Sequence, residues 1–148
     1  MSEGGKVGVQ ERSWRAGPCE QPVLVGGSGP PLLVLHDEMG YPGWLRWQHE
    51  FAAKRTMMVP LAPGFGRAPR LEWIADMRDL AVFYANLLRA QNLAPIDVIG
   101  FSLGGWLAAE MAAGDPALFR RMVLVAPLGI RPAQGHILDV FDLSQLDQ

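Results

Sequence analysis

Short runs of apolar residues, each bounded by Gly, Pro or polar turn residues, recur along this chain of 148 residues. Continuous apolar runs of this length are typical of strands that are buried on both faces of a sheet. The runs predict strands at residues 21–26, 31–36, 56–61, 96–100 and 121–126.

Apolar residues at three- and four-residue spacing lie between these runs and predict helices. The predicted helices cover residues 44–51, 71–90 and 103–113. Trp44, Trp47 and Phe51 share one face of the first, and a stripe from Trp73 to Leu87 lines the second, so both stripes are expected to be core faces. Alternating strands and helices imply right-handed crossovers, and therefore an α/β fold with a mostly parallel sheet and flanking helices.

The two ends of the chain differ from this alternating part. Residues 1–20 mix charged residues with Gly and Ser and are interpreted as a loose or edge segment. Residues 21–132 form the predicted α/β core. Residues 133–148 are interpreted either as the start of a lid or as a non-native tail. Nothing after residue 135 has a strand pattern, so the sheet is expected to stop after the strand at 121–126.

Composition narrows the function classes. The chain is 49% hydrophobic and 19% charged, which is typical of a soluble globular protein. A net charge of −2 with scattered basic residues gives no electrostatic reason to expect nucleic acid as a partner. The first twenty residues lack the apolar stretch of a secretory signal, and no apolar segment is long enough to cross a bilayer, so a cytoplasmic location is expected. No group of His, Cys, Asp and Glu has metal-ligand spacing, so no metal site is expected.

The decisive motif is Gly100-Phe101-Ser102-Leu103-Gly104, a GxSxG between a predicted strand and a predicted helix. A serine on such a sharp turn needs a strained backbone, and glycines two residues before and after it remove the Cβ atoms that would clash. The hydroxyl is then held at a helix N-terminus, where N–H groups favour developing negative charge. The motif predicts a nucleophilic Ser102; the structural alternative is that Ser102 only caps the helix.

Other glycine-rich stretches do not fit nucleotide-binding motifs. Gly64-Phe65-Gly66 lacks the third glycine of a dinucleotide fingerprint. Residues 100–105 are not followed by the Lys-Ser/Thr pair of a phosphate-binding loop.

The chain resembles the α/β-hydrolase family from about residue 22 to about residue 132. Besides GxSxG, residues 36–40 (HDEMG) resemble the HGxxG oxyanion loop, with Asp37 in the place of the usual glycine. Residues 63–67 (PGFGR) resemble the PGFGxS loop of the family. Residues 127–132 resemble the stretch leading to the lid in lipase-like esterases and carbon–carbon bond hydrolases.

The resemblance implies roles for individual residues. Ser102 would be the nucleophile, and the backbone N–H groups of Leu103 and Glu38 would form the oxyanion hole. His36 would hold the oxyanion loop rather than act as the general base. No cofactor is implied, because the serine mechanism needs none.

The base and the orienting carboxylate are missing at the positions where the family order Ser, Asp/Glu, His would put them. His136 is the histidine that follows Ser102, and the carboxylates between them are Glu110 and Asp115. At about 1.5 Å per residue these lie roughly 12 and 20 Å along the helix from Ser102, too far to orient an imidazole at its hydroxyl. The triad is therefore expected to be incomplete in this chain.

Two classes of function follow from these patterns. The first is a serine hydrolase that acts on an ester or similar acyl bond of a small molecule; a carbon–carbon bond hydrolase is a close neighbour that the residues do not separate from it. The second is a non-catalytic remnant or binding module. The apolar run at 121–126 is also expected to form an exposed sheet edge through which the chain self-associates.

Overall fold

A computed structural model describes residues 7–131 and 133–134. The predictions for residues 135–148, including His136, lie outside the described residues. The strands are β1 (Val9–Ala16), β2 (Cys19–Gly27), β3 (Pro31–Leu35), β4 (Thr56–Pro60), β5 (Ile96–Phe101) and β6 (Phe119–Val125). The helices are α1 (Arg46–Ala52), α2 (Met77–Ala90) and α3 (Leu103–Gly114), with a short 3₁₀ turn at Pro116–Leu118 before β6.

The strands form one mixed six-stranded sheet in the order β1-β2-β4-β3-β5-β6. Strands β4, β3, β5 and β6 run parallel to their neighbours, whereas β1 and β2 form an antiparallel pair and β2 is antiparallel to β4. The apolar runs thus predicted β2 to β6, and β1 is formed by residues of the segment interpreted as loose or edge. The α/β fold class is confirmed.

The central strand β3 is covered on both faces, as its apolar run predicted. Leu33 and Leu35 of β3 face a cluster that includes α2 and α3, whereas Leu32 and Val34 face a second cluster with Ala52 of α1. Because neighbouring residues of one strand enter different clusters, β3 is a central strand buried on each side.

Helix α2 begins later than its apolar spacing predicted. Asp76 caps it, with a carboxylate that accepts from the N–H groups of Arg78 (2.8 Å) and Asp79 (3.0 Å), so residues 71–76 precede the helix. Trp73, which was expected on the core stripe, is 52% exposed, and Phe51 is 47% exposed. The prediction that both stripes are entirely core faces was therefore wrong at these two residues.

Strand β6 is an edge strand among the described residues. It pairs with β5 and, within residues 7–131 and 133–134, with no other strand. Met122, Val123 and Val125 are 40%, 51% and 40% exposed, so the edge is apolar. In this described part of the chain, no helix is long and apolar enough to cross a membrane.

Candidate active site

Ser102 lies on the strand-to-helix turn, directly after β5 and directly before α3. Its backbone has φ 47° and ψ −107°, a positive φ that is rare for a residue other than glycine. The strained turn predicted from GxSxG is confirmed. The Ser102 side chain makes no capping hydrogen bond to α3, so the capping alternative does not explain the residue.

Backbone hydrogen bonds hold the turn in place. The Ser102 N–H donates to the carbonyl of Val125 (2.9 Å), at the end of β6. The Ser102 carbonyl accepts from the N–H of Trp106 (3.1 Å) in α3 and from that of Leu128 (3.1 Å). The turn is thus fixed to a strand, a helix and a loop, which is what a strained conformation needs in order to persist.

Glycines make this close packing feasible. A Cβ at Gly104 would lie 2.5 Å from the carbonyl carbon of Leu35 and 2.6 Å from the carbonyl oxygen of His36. A Cβ at Gly100 would lie 2.7 Å from the carbonyl carbon of Gly104 and 2.8 Å from the Cα of Gly105. The predicted steric reason for the glycines on either side of the serine is therefore confirmed.

His36, at the end of β3, uses both ring nitrogens for structure. The N–H of Ala62 donates to Nε2 (2.9 Å), so the proton of the neutral ring lies on Nδ1, which donates to the carbonyl of Asp37 (2.8 Å). Burial lowers the pKa of His36, against smaller opposing effects of the Asp37 carbonyl and carboxylate. The neutral His36 ring therefore connects the loop that follows β3 to Ala62. Because both of its nitrogens are hydrogen-bonded, neither is available to Ser102.

The following residues form a tight turn. The N–H of Gly40 donates to the carbonyl of Asp37 (3.2 Å), and Gly40 has a φ of 85°, which glycine adopts without strain. The Asp37 carboxylate accepts from the N–H of Met39 (3.0 Å), the pattern of an Asx turn. Asp37 therefore stabilises the loop at the position where a glycine was expected.

The Glu38 side chain adds a feature that sequence reasoning missed. Its carboxyl has a pKa below the ordinary value, chiefly because of the Ser102 hydroxyl. The backbone N–H of Glu38 itself and that of Leu103 act in the same direction, against a small effect of burial. Sequence reasoning gave a role only to the backbone N–H of Glu38 and none to its exposed side chain.

A cavity of about 110 Å³ lies beside this loop. Its lining includes His36, Tyr41, Trp47 and Phe101, the last directly before Ser102. The Tyr41 hydroxyl donates to Oε1 of the buried Gln48 (2.7 Å), and burial raises the pKa of Tyr41 to about 12, so the phenol stays protonated. The cavity is small, and aromatic side chains form part of its lining.

The carboxylates on α3 and just after it have structural partners. Glu110 accepts from the indole N–H of Trp106 (3.0 Å), and Asp115 accepts from the N–H of Ala117 (3.0 Å) and pairs with Arg89. None of these three contacts involves Ser102. In residues 7–131 and 133–134, no three His, Cys, Asp or Glu side chains are grouped as a metal site.

Comparison with known proteins identifies relatives of this arrangement. The chain is 32% identical over 109 residues to 2-hydroxymuconate semialdehyde hydrolase of Pseudomonas sp. strain CF600. The alignment covers 70% of this chain and 38% of that protein. It is 29% identical over 120 residues to 2-hydroxy-6-oxo-2,4-heptadienoate hydrolase of Pseudomonas putida. That alignment covers 78% of this chain and 44% of that protein. The chain thus spans less than half the length of these curated relatives.

Solved structures and a family profile agree with these relatives. A candidate lipase from Acinetobacter baumannii AYE superimposes with a TM-score of 0.79 at 29% identity, over 95% of this chain and 48% of that one. The sequence profile described as "alpha/beta hydrolase fold" matches residues 30–148, which is most of the chain. With a GxSxG turn at the end of a central parallel strand, the chain belongs to the α/β hydrolase fold family.

Proposed function

We propose that the chain is the nucleophile-bearing part of a serine hydrolase that acts on an ester or similar acyl bond of a small molecule. The observation that carries this proposal is the positive φ of Ser102. This residue lies between β5 and α3, and backbone hydrogen bonds to Val125, Trp106 and Leu128 hold it there. Strained residues of this kind cluster at active sites. The hydrolase relatives support hydrolysis without separating an ester from another bond.

The proposed reaction begins with attack of Ser102 Oγ on the substrate carbonyl while a general base takes its proton. The oxyanion of the tetrahedral intermediate accepts hydrogen bonds from the backbone N–H groups of Leu103 and Glu38. The carbon–oxygen bond then breaks, the alcohol leaves with the proton, and water hydrolyses the acyl-serine. These steps use no metal and no organic cofactor. We further propose that the triad is incomplete in this chain. Among the described residues neither His36 nor His49 contacts Ser102, and the carboxylates between Ser102 and His136, Glu110 and Asp115, are engaged by Trp106 and Arg89.

The carbon–carbon bond hydrolase alternative rests on the names of the Pseudomonas relatives, whose printed substrates are a semialdehyde and a dienoate. The same nucleophile and oxyanion donors suit either reaction. The two are separated by comparing turnover of an activated ester with the loss of ultraviolet absorbance of a conjugated oxo-dienoate. The non-catalytic alternative predicts neither reaction.

We also propose that the protein is located in the cytoplasm.

Covalent labelling tests the nucleophile. We expect a fluorophosphonate, with free imidazole supplied in place of the missing base, to modify Ser102 and leave the Ser102→Ala variant unlabelled, because the strained turn holds this hydroxyl at the N-terminus of α3. Peptide mapping by mass spectrometry identifies the modified residue. Ser28→Ala, at an exposed turn, is the matched control and should label as the parent does. Labelling elsewhere, or unchanged labelling of Ser102→Ala, would contradict the proposal.

We also propose that the chain self-associates through β6. The outer N–H and C=O groups of this edge and the exposed Met122, Val123 and Val125 form a template for pairing with another copy. Val123→Lys should shift the chain towards monomer in analytical ultracentrifugation, because a charge on an edge strand opposes pairing. Val82→Lys, at an equally exposed valine of α2, should not. A monodisperse monomeric parent chain would refute this prediction.

A further inference from the structure

The cavity of about 110 Å³ borders two parts of the proposed active site. Its lining includes His36 and Gly40, from the end of β3 and the turn after it, and Phe101 of β5, the residue directly before Ser102. Strands β3 and β5 are paired in parallel, so the segments that follow them leave the sheet at the same edge. The cavity therefore adjoins the turn that carries the proposed nucleophile.

Helix α1 and the segment leading into it form another wall of this cavity. Trp47 and Gln48 line it, and the Trp47 ring lies 5.5 Å from the ring of Phe101. Gln48 is 1% exposed, and its Oε1 accepts from the Tyr41 hydroxyl and from the Leu45 N–H, each at 2.7 Å. These two bonds join the segment after β3 to the first turn of α1. The cavity is therefore held in shape by buried hydrogen bonds before any ligand binds.

The chemistry of the lining favours an uncharged group. Val34 and the rings of Trp47 and Phe101 are apolar, and the Tyr41 hydroxyl is engaged by the buried glutamine. Asp37 is the acidic residue of the lining, and its carboxylate accepts from the Met39 N–H (3.0 Å). A negative charge at this wall opposes a second negative charge in the cavity. An apolar group is therefore accepted and an anionic group is disfavoured.

The volume of the cavity limits the length of that group. A dry apolar cavity of roughly 150 Å³ binds benzene, and a water molecule takes about 30 Å³ of liquid volume. At about 110 Å³ the cavity is smaller than a benzene site. It accommodates on the order of three or four water-sized groups, such as methyl or methylene. A short aliphatic chain fits these limits, and an aromatic ring exceeds them.

We propose that this cavity is the acyl-chain subsite of the hydrolase and selects short, uncharged aliphatic acyl groups of about four carbons or fewer. The inference deepens the proposed function and rests on it, because the acyl group is defined by attack of Ser102 on its carbonyl carbon. The acyl group stays bonded to this serine through both steps of the reaction, whereas the alcohol leaves after the first. A subsite that adjoins the serine turn therefore serves the acyl chain, and Trp47 limits its length.

Acylation of Ser102 by p-nitrophenyl esters of acetate, butyrate, octanoate and benzoate tests the subsite. Free imidazole takes the serine proton as Oγ bonds to the carbonyl carbon and p-nitrophenolate leaves. Each rate is corrected for the protein-free rate and divided by it, and peptide mass spectrometry locates the acyl group. Burial of one methylene strengthens binding about fourfold, so butyrate should react at least about tenfold faster than acetate. Octanoate, benzoate and the p-nitrophenyl monoester of succinate should also be at least about tenfold slower than butyrate, because of length, ring size and charge.

Enlarging the cavity should relax the limit on size. In Trp47→Leu we expect the rates of octanoate and benzoate, relative to butyrate, to rise at least about tenfold. Phe101→Leu enlarges the cavity from β5 and should shift these ratios in the same direction, which keeps the test decisive if circular dichroism shows that the first variant is unfolded. Trp73→Leu is the matched control, because Trp73 is 52% exposed and does not line this cavity. It should keep the ratios of the parent chain.

The outcomes separate the subsite from the nucleophile. Equal rates across the acyl series, or equal shifts in Trp47→Leu and Trp73→Leu, would overturn the inference and leave the nucleophile intact. A dependence on the length of the alcohol in a series of acetate esters, relaxed by Trp47→Leu, would assign the cavity to the leaving group and also overturn the inference. Absence of an acyl group on Ser102 with every ester would refute the nucleophile, and the inference with it.

Discussion

The purified 148-residue chain is expected to hydrolyse an activated ester only slowly. The described residues include the proposed nucleophile Ser102 and its proposed oxyanion donors, Leu103 and Glu38, but neither of their histidines is hydrogen-bonded to Ser102. His36 uses both ring nitrogens, and His49 lies on α1 beside Trp44. Sites that keep only the oxyanion hole and binding retain roughly 10³–10⁴-fold acceleration over water, and we expect a rate of that order.

Initial rates with p-nitrophenyl acetate measure this, with Ser102→Ala as the reference. Imidazole hydrolyses this ester by itself, so its protein-free rate at each concentration is subtracted. Above that background, added imidazole should raise the rate of the parent chain with saturation and leave Ser102→Ala unchanged, because a free imidazole can replace a missing base at the half-buried Ser102. Turnover at ordinary enzymatic rates without imidazole, abolished by Ser102→Ala, would show that the chain supplies its own base. His136 would then be the first residue to substitute.

The order of strands and helices after residue 20 was predictable because burial on both faces leaves a continuous apolar signal. In β3, Leu32 and Val34 contact one core cluster and Leu33 and Leu35 the other, so every position must be apolar. Strand β1 lacks this signal. Most of its residues are exposed, and it is held by pairing with β2, a long-range contact that local pattern does not encode.

The start of α2 shows a second limit of periodicity. Residues 71–76 continue the apolar spacing of the helix, but the Asp76 carboxylate binds the N–H groups of the first turn and begins the helix at Met77. Asp at a cap competes successfully with helical continuation. Trp73 consequently leaves the helical stripe, packs its ring at 6.0 Å from that of Phe83, and remains half exposed.

At the site, the features set by steric fit were predictable and those set by side-chain direction were not. GxSxG requires a strained serine and small neighbours wherever a strand turns sharply into a helix, so Ser102, Gly100 and Gly104 followed from spacing. The position of the turn at Asp37–Gly40 depends on the hydrogen bonds of the Asp37 side chain and carbonyl and on the packing of the His36 carbonyl against Gly104. That geometry combines residues that are more than 60 positions apart, which a sequence motif does not record.

Gly104→Ala is expected to destabilise the fold strongly. The new methyl group would lie against the Leu35 and His36 carbonyls, closer than real Cβ atoms approach backbone atoms. Leu35 ends a central strand, so α3 must move, and overpacking of this kind costs about 1–3 kcal/mol or more. Helix propensity opposes this by about 1 kcal/mol, which the clash exceeds. Against a typical total of about 5–15 kcal/mol, the loss is a large fraction of the stability.

Gly114→Ala, in the same helix, is the matched control, because a Cβ there has nothing within 4 Å. It gains the propensity without the clash and should raise stability by up to about 1 kcal/mol. Urea unfolding of both variants measures the clash as the difference between their free energies of unfolding. Movement of α3 also displaces Ser102 from the loop at residues 36–40, and a misplacement of about 1 Å can lower reactivity roughly 100-fold. Equal stability of the two variants, with phosphonate labelling unchanged, would show that β3 and α3 are not held at this contact.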